Sequence, residues 1–140
     1  MTKNRFGHHI NILGRLLSKK LNEGILQTGL TSSQWPFILR LLLNGELTQR
    51  ELCEQLSMEA STVSQTLNRM EQMGWIVRVV DDVDKREKKV KLTEKSTSMI
   101  PVWNIVTADV EKKALDGLTD EDIATFKRVL DKMTENMKKE

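Results

Sequence analysis

The sequence predicts one mainly α-helical domain with a small β-hairpin. Its 140 residues have the length of a single domain with a sizeable core. Apolar residues recur at intervals of three and four near both ends and in the middle of the chain, as amphipathic helices require. Between residues 75 and 92, two short runs rich in β-branched residues flank a polar loop, which is the pattern of a hairpin.

The first predicted helix is long and amphipathic, and Gly29 lies where it would end in left-handed geometry. Thr31 and Gln34 have the spacing of a capping box for the second helix. Capping by Ser32 or Ser33 would instead bring Pro36 into the first turn, where proline is tolerated. The second helix is apolar on nearly all sides, so we expect it to be buried at the centre of the domain. The stripe of the first helix comprises Phe6, Ile10, Leu13, Leu17 and Leu21.

A close pair of helices follows. Thr48 and Glu51 have the spacing of a second capping box, which opens a short helix after a staple residue, Leu47. The next helix begins after Ser57, and Gly74 lies where it would end. The residues of this pair that are expected to face inward are Leu52, Leu56, Val63, Leu67, Met70 and Met73.

The second strand of the predicted hairpin has one apolar face and one basic face. Val90 and Leu92 alternate with Lys89 and Lys91, so the apolar pair can anchor the strand while the lysines point away. Thr93 then caps a long helix, which we expect Pro101 to bend. A last helix opens at residue 119, where three acidic residues favour the helix dipole.

Composition and motifs exclude several classes of protein. No apolar run approaches the roughly 20 residues that span a bilayer, and the N-terminus lacks the pattern of a cleaved signal, so we expect a cytoplasmic protein without a membrane partner. A single cysteine, Cys53, cannot form an internal disulfide, and we interpret it as a packing residue. His8 and His9 are adjacent and point apart on a helix, so a metal site is not expected. We also expect no enzyme and no cofactor, because no nucleophile–base set and no glycine-rich phosphate loop is present.

The order of these elements describes a winged helix-turn-helix with long helical arms at both ends. The stretch from Leu30 to Ser96 resembles the MarR family of bacterial transcription regulators. The segments that carry this resemblance are "LTQRELCEQL", "STVSQTLNRMEQMGWIVR" and "DKREKKVKLT". The resemblance implies a single domain over residues 1–140, with a DNA-binding lobe at residues 30–93. Residues 1–28 and 94–140 are then the dimerisation arms.

The resemblance implies a homodimer that binds a pseudo-palindromic operator in double-stranded DNA. Each lobe would present one recognition helix to the major groove and one wing to the adjacent minor groove. Members of the family typically repress transcription and release DNA when a small amphipathic or phenolic effector binds between the arms and the lobe.

The recognition helix has a polar face opposite its apolar stripe. Its side chains can donate to or accept from base edges and phosphates. An ordinary solvated helix face is the alternative interpretation of the same pattern. At Gln65 many family members have a basic residue, so the resemblance leaves the base preference open. The residues predicted to contact DNA from this helix are Ser61, Thr62, Ser64, Gln65, Asn68 and Arg69.

The predicted wing carries its basic residues in a defined order. Asp84 precedes Arg86 by two residues and is placed to orient that guanidinium, as the Asp-x-Arg pair of the family implies. Lys85 and Lys88 extend the positive charge toward DNA phosphates. A solvated hairpin whose lysines protect an exposed edge is the alternative, but it does not account for the Asp-x-Arg pair.

The location of an effector pocket is an expectation from the family alone. Arg15, Trp35, Met99 and Trp103 could line a cavity between the first, second and fifth helices. The alternative is that the apolar members of this set belong to the core and the dimer interface, as Met and Trp at helical spacing usually do.

Two other functions compete with sequence-specific regulation. A non-specific architectural protein would bind every duplex with similar strength. A helical adaptor would use its amphipathic arms to hold a protein partner and would leave DNA unbound. In the adaptor the wing would be vestigial.

Overall fold

The computed structural model describes residues 5–80 and 82–139. Within them the chain forms six α-helices and a three-stranded antiparallel sheet, so the mainly α fold class is confirmed. The helices are α1 (Phe6–Ile25), α2 (Trp35–Asn44), α3 (Gln49–Leu56), α4 (Ala60–Gln72), α5 (Glu94–Ala114) and α6 (Asp120–Lys138). The strands are β1 (Leu47–Thr48), β2 (Ile76–Val80) and β3 (Lys88–Leu92).

The sheet has one more strand than the predicted hairpin. Strands β2 and β3 pair as expected, with Ile76 opposite Leu92, but β1 pairs on the other side of β3 through Leu47 and Val90. The described chain therefore has three strands where two were predicted. The sequence could not reveal β1 because two residues are too few to show alternation, and both are buried.

The Thr31–Gln34 capping box predicted before α2 is present, whereas neither Ser32 nor Ser33 caps the helix. Thr31 and Gln34 exchange the capping-box hydrogen bonds, at 3.2 Å from the Gln34 amide and 3.1 Å from the Thr31 amide. The α-helix itself begins one turn later, at Trp35, and Pro36 therefore lies in its first turn, where the missing N–H costs least.

The expected central burial of α2 holds for one of its faces only. Phe37, Ile38 and Leu41 are buried, whereas Leu43 is 67% exposed and Leu42 is 39% exposed. A helix that is apolar all round does not indicate which of its sides will meet the rest of the same chain, so this part of the prediction was wrong.

The helix pair α3–α4 is fixed by local hydrogen bonds. Thr48 accepts from the Glu51 amide at 3.1 Å, and Glu51 accepts from the Thr48 amide at 2.9 Å, which confirms the predicted capping box. The bond from the Thr48 backbone lowers the pKa of Glu51. Ser57 ends α3 in the left-handed region, with φ of 53°, so that α4 can begin after only a short turn.

Three tryptophans from different elements meet in the core. Trp103 of α5 is fully buried and makes edge-to-face contacts with Trp35, at 6.3 Å between ring centroids, and with Trp75, at 5.2 Å. Trp75 follows α4 and precedes β2. The cluster therefore joins the arm helix α5 to the lobe.

Side chains at the start of α5 fasten it to the end of α4. Thr93 caps α5 at the Ser96 amide, and its hydroxyl also donates to the Gly74 carbonyl at 2.6 Å. Lys95 donates to the Met73 carbonyl at 2.7 Å, and its ammonium lies 4.1 Å from the Trp75 ring. These bonds satisfy the carbonyls of the two residues that directly follow α4. Pro101 lies inside α5, as the sequence predicts.

Helices α1 and α5 pack closely, while much of the apolar surface of the arms stays exposed. A Cβ at Gly24 would lie 2.7 Å from Cγ1 of Val106, so this glycine permits the close approach of the two helices. No described residue of α6 is buried. The exposed large apolar residues of α1 and α6 include Phe6, Ile10, Leu13, Leu16, Phe126, Val129, Met133 and Met137.

Candidate nucleic-acid interface

Helix α4 presents a polar face to solvent and an apolar face to the core. Val63, Leu67 and Met70 are fully buried, and their spacing of three and four residues turns the rest of the helix outward. Ser64 is half-buried. The remaining predicted contact residues are all exposed: Ser61, Thr62, Gln65, Asn68 and Arg69.

The wing holds the Asp84–Arg86 pair in the geometry that the sequence predicts. Oδ1 of Asp84 accepts from the Arg86 backbone amide at 3.0 Å and from its Nε at 3.2 Å, and Oδ2 lies 3.5 Å from Nη2. These hydrogen bonds, the side-chain ones first, lower the pKa of the Asp84 carboxyl.

The guanidinium of this pair remains free to meet a ligand. The Arg86 side chain is 92% exposed, so Asp84 orients it without covering it. An ion pair this exposed contributes little to folding stability, and its consequence is therefore the direction in which Arg86 points. Lys85 and Lys88 are exposed beside it. Asp81, the first of the loop aspartates, lies outside the described residues.

Two further charged residues connect the wing to α3. Nε of Arg50 lies 3.4 Å from Oε1 of Glu87, across a cavity of about 300 Å³ that Arg78 and Lys88 also line. Neither Arg50 nor Glu87 is predicted from the sequence, because their proximity arises only when β1 pairs with β3. Sequence spacing alone gives no signal for such a contact.

Arg78 is the other residue that sequence analysis missed. Its Nη2 donates to Oδ1 of Asn68 at 2.8 Å, which joins β2 to the polar face of α4. The Nε atom of Arg78 is buried and has no hydrogen-bond partner among the described residues. The only signal in the sequence is a lone basic residue within a run of valines.

The four residues expected to line an effector pocket lie in different surroundings. Trp35 and Trp103 are in contact with each other, and Met99 packs against the same core. Arg15 instead lines a wide groove of about 880 Å³ along α1. Helices α1 and α5 run in opposite directions where they meet, because Thr28 lies beside Trp103 and Gly24 lies beside Val106. The N-terminal half of α1, which contains Arg15, therefore leads away from Met99.

The remaining candidates lie outside any site. Cys53 is half-buried and packs against the core, as the packing interpretation expects. Among residues 5–80 and 82–139, no group of three or more His, Cys, Asp or Glu side chains is placed to hold a metal ion. No helix in this part of the chain is long and apolar enough to cross a membrane.

Comparisons with known proteins agree with this arrangement. The model described as "MarR family" matches residues 28–87. The uncharacterized HTH-type transcriptional regulator YwoH of Bacillus subtilis is 39% identical over 119 residues, which cover 85% of this chain and 86% of that protein.

Solved structures give the same result for the fold. A mutant of MarR from E. coli, complexed with operator DNA, is 25% identical, covers 91% of each chain and superposes with a TM-score of 0.82. A MarR family regulator from Listeria monocytogenes, complexed with 26mer DNA, is 24% identical, covers 97% of this chain and 90% of its own, and gives a TM-score of 0.89. With the family model, a close relative and the winged fold in agreement, the chain belongs to the MarR family of transcriptional regulators.

Proposed function

We propose that this protein is a sequence-specific regulator that binds double-stranded DNA as a homodimer in the cytoplasm. The observation that carries the proposal is the exposed polar face of α4 next to an arginine that Asp84 orients. A helix of this kind fits the major groove, and an inserted arginine is favoured in a narrow minor groove. The mutant of MarR from E. coli that shares this fold is complexed with operator DNA.

The proposed homodimer is supported by the arms. Helix α6 carries an apolar face, yet within the described chain none of its residues is buried, and Phe6 of α1 is 60% exposed. Exposed apolar residues that share one face of a helix favour an interface with another chain. A two-fold dimer would place two α4 helices on one side of a duplex, with half-sites about one helical turn apart in a pseudo-palindrome.

We also propose that the protein represses transcription and that a small amphipathic or phenolic effector releases it from DNA. This proposal rests on the family, together with the groove along α1 that Arg15 lines. A second chain at this face would convert the open groove into an enclosed site. The proposal is tested by adding phenolic acids to the protein–operator complex, where release of DNA at concentrations that leave the protein folded is the expected result.

The central experiment selects fragments of the organism's own genomic DNA on the full-length protein. We expect a recurrent pseudo-palindrome, which outcompetes bulk DNA by about 10³-fold or more at physiological salt. Gel filtration should give a dimer. Equal binding to all fragments would favour the architectural alternative, and a monomer that retards no DNA would favour the adaptor.

A further inference from the structure

The hydrogen bond between Arg78 and Asn68 has a consequence for base recognition. We propose that Arg78 is a positioning residue that fixes the orientation of the Asn68 side-chain amide and so determines which base edge Asn68 contacts. This inference rests on the proposed function, because it concerns how α4 meets DNA. Arg78 itself lies in β2, and Asn68 is exposed on the polar face of α4.

The chemistry of the two side chains fixes which atom of the amide faces Arg78. A guanidinium has five N–H donors and no acceptor, so only the amide oxygen of Asn68 can lie against it. The bond joins Nη2 and Oδ1 at 2.8 Å. The amide nitrogen of Asn68 has no hydrogen-bond partner among the described residues and is the group left to meet a ligand.

This orientation changes the base that Asn68 prefers. Two-point contact of an asparagine with adenine requires both amide groups, the oxygen for the adenine N6 amino group and the nitrogen for N7. When Arg78 holds one lone pair of the oxygen, the amide N–H faces outward, and it matches a base acceptor such as guanine N7 or O6, adenine N7 or thymine O4. Asn68 in this protein therefore meets a base through its amide N–H groups and discriminates against cytosine, which offers only an amino donor in the major groove.

The fold places Arg78 where it can hold this orientation. Arg78 is opposite Val90 in the β2–β3 register, so its side chain leaves the sheet on the same face as the fully buried Val90. Its Nε is buried without a partner among the described residues, which costs folding free energy. Arg78 thus reaches Asn68 from a half-buried side chain on the core-facing side of the sheet.

The test compares the selected base preferences of the wild type with those of Asn68→Ala, Arg78→Met and the double variant. Arg78→Lys keeps a donor for Oδ1 and should retain the wild-type preference. Arg50→Met removes the same charge from the same cavity without contact to Asn68, and it is the matched control. Circular dichroism confirms folding, and Arg78→Ala replaces Arg78→Met if the latter melts below the assay temperature.

We expect Arg78→Met and Asn68→Ala to alter discrimination at the same base pair of each half-site, by about tenfold, the size of a good base contact. Arg78→Met should relax the discrimination against cytosine at that position, because the released amide can turn its oxygen toward the cytosine amino group. In the Asn68→Ala background the same substitution should cause no further change. Arg50→Met should leave the preference at that base pair unchanged.

Two results would overturn the inference and point to different causes. In the first, the wild type is selective, but Arg78→Met weakens binding to all sequences equally, and its loss of binding free energy adds to that of Asn68→Ala. Arg78 would then be only a phosphate contact. A wild-type protein without sequence preference would instead overturn the proposed function itself, and the role of Arg78 with it.

Discussion

The indole Nε1 of Trp103 donates a 2.9 Å hydrogen bond to Oγ1 of Thr28. This bond links α5 to the 3₁₀ turn that follows α1, and the same hydroxyl donates to the Ile25 carbonyl at 2.7 Å. Thr28 therefore gives the buried indole its acceptor and joins two arm helices at the edge of the core.

Thr28→Val should destabilise the protein because it removes that acceptor while preserving the shape of the side chain. An unsatisfied buried donor costs about 1–3 kcal/mol. Thr28→Ser retains the hydroxyl and is the matched control, for which we expect a much smaller loss. Urea denaturation gives the free energy of unfolding, and a Thr28→Val variant as stable as the wild type would show that the hydrogen bond does not contribute to stability at this position.

Gly24→Ala should also destabilise the protein, through steric overlap of α1 with α5. The new Cβ would lie 2.7 Å from Cγ1 of Val106, closer than two carbon atoms can approach. The overlap should exceed the gain of up to about 1 kcal/mol in helix propensity and lower the melting temperature. Because Val106→Ala removes the clashing methyl, the double variant should be more stable than Val106→Ala alone. A stabilised single variant would contradict the close packing.

Ser57→Gly should stabilise the joint between α3 and α4. Ser57 has a φ of 53°, a left-handed conformation that costs an L-residue about 1–2 kcal/mol. Glycine adopts it freely but loses about 0.5–1 kcal/mol more in backbone entropy, so a net gain of up to about 1.5 kcal/mol is expected. Ser57→Ala controls for loss of the hydroxyl and should give no gain. Lower stability of Ser57→Gly in denaturant titrations would show that the hydroxyl outweighs the strain.

The Asp84 carboxyl should titrate below its ordinary pKa because Arg86 donates to its charged form. The carboxyl therefore has a lower pKa in the folded protein than in the unfolded chain. The Asp84–Arg86 pair is fully formed at pH values above the pKa of the unfolded chain, and it is lost as the pH falls through the pKa of the folded protein. Wing geometry should thus be constant around neutral pH and change only in acid. Carboxyl NMR shifts measure this, and Arg86→Gln should return the pKa toward normal. An unchanged pKa in that variant would contradict the assigned cause.

Arg86→Ala should weaken binding to nearly all DNA sequences. Its guanidinium is exposed and oriented toward solvent, so we expect it to contact the DNA groove and backbone. Loss of this contact should reduce the slope of log affinity against log salt concentration by about one unit. Lys113→Ala, on the surface of α5 in an ion pair with Asp109, is the charge-matched control. Unchanged affinity of Arg86→Ala at moderate salt would refute the role of the wing.

Local patterns in the sequence were sufficient for the features that depend on neighbours along the chain. Thr48 and Glu51 of the capping box are three positions apart, and Asp84 and Arg86 are two positions apart. The helix period likewise separated the buried Val63 from the exposed Gln65. In these cases the backbone conformation of one short segment brings the groups together, so composition and spacing determine the contact.

Only the tertiary structure decided the contacts between elements. Arg78 meets Asn68 because β2 folds back along α4, and Arg50 meets Glu87 because the two-residue β1 joins β3. The surroundings of Trp103 likewise depend on how α5 crosses the end of α1. No periodicity encodes such pairs, since chain separation says nothing about which faces will pack. The sequence thus determined the family, the helices and the wing, and the folded chain decided which side chains orient the residues proposed to contact DNA.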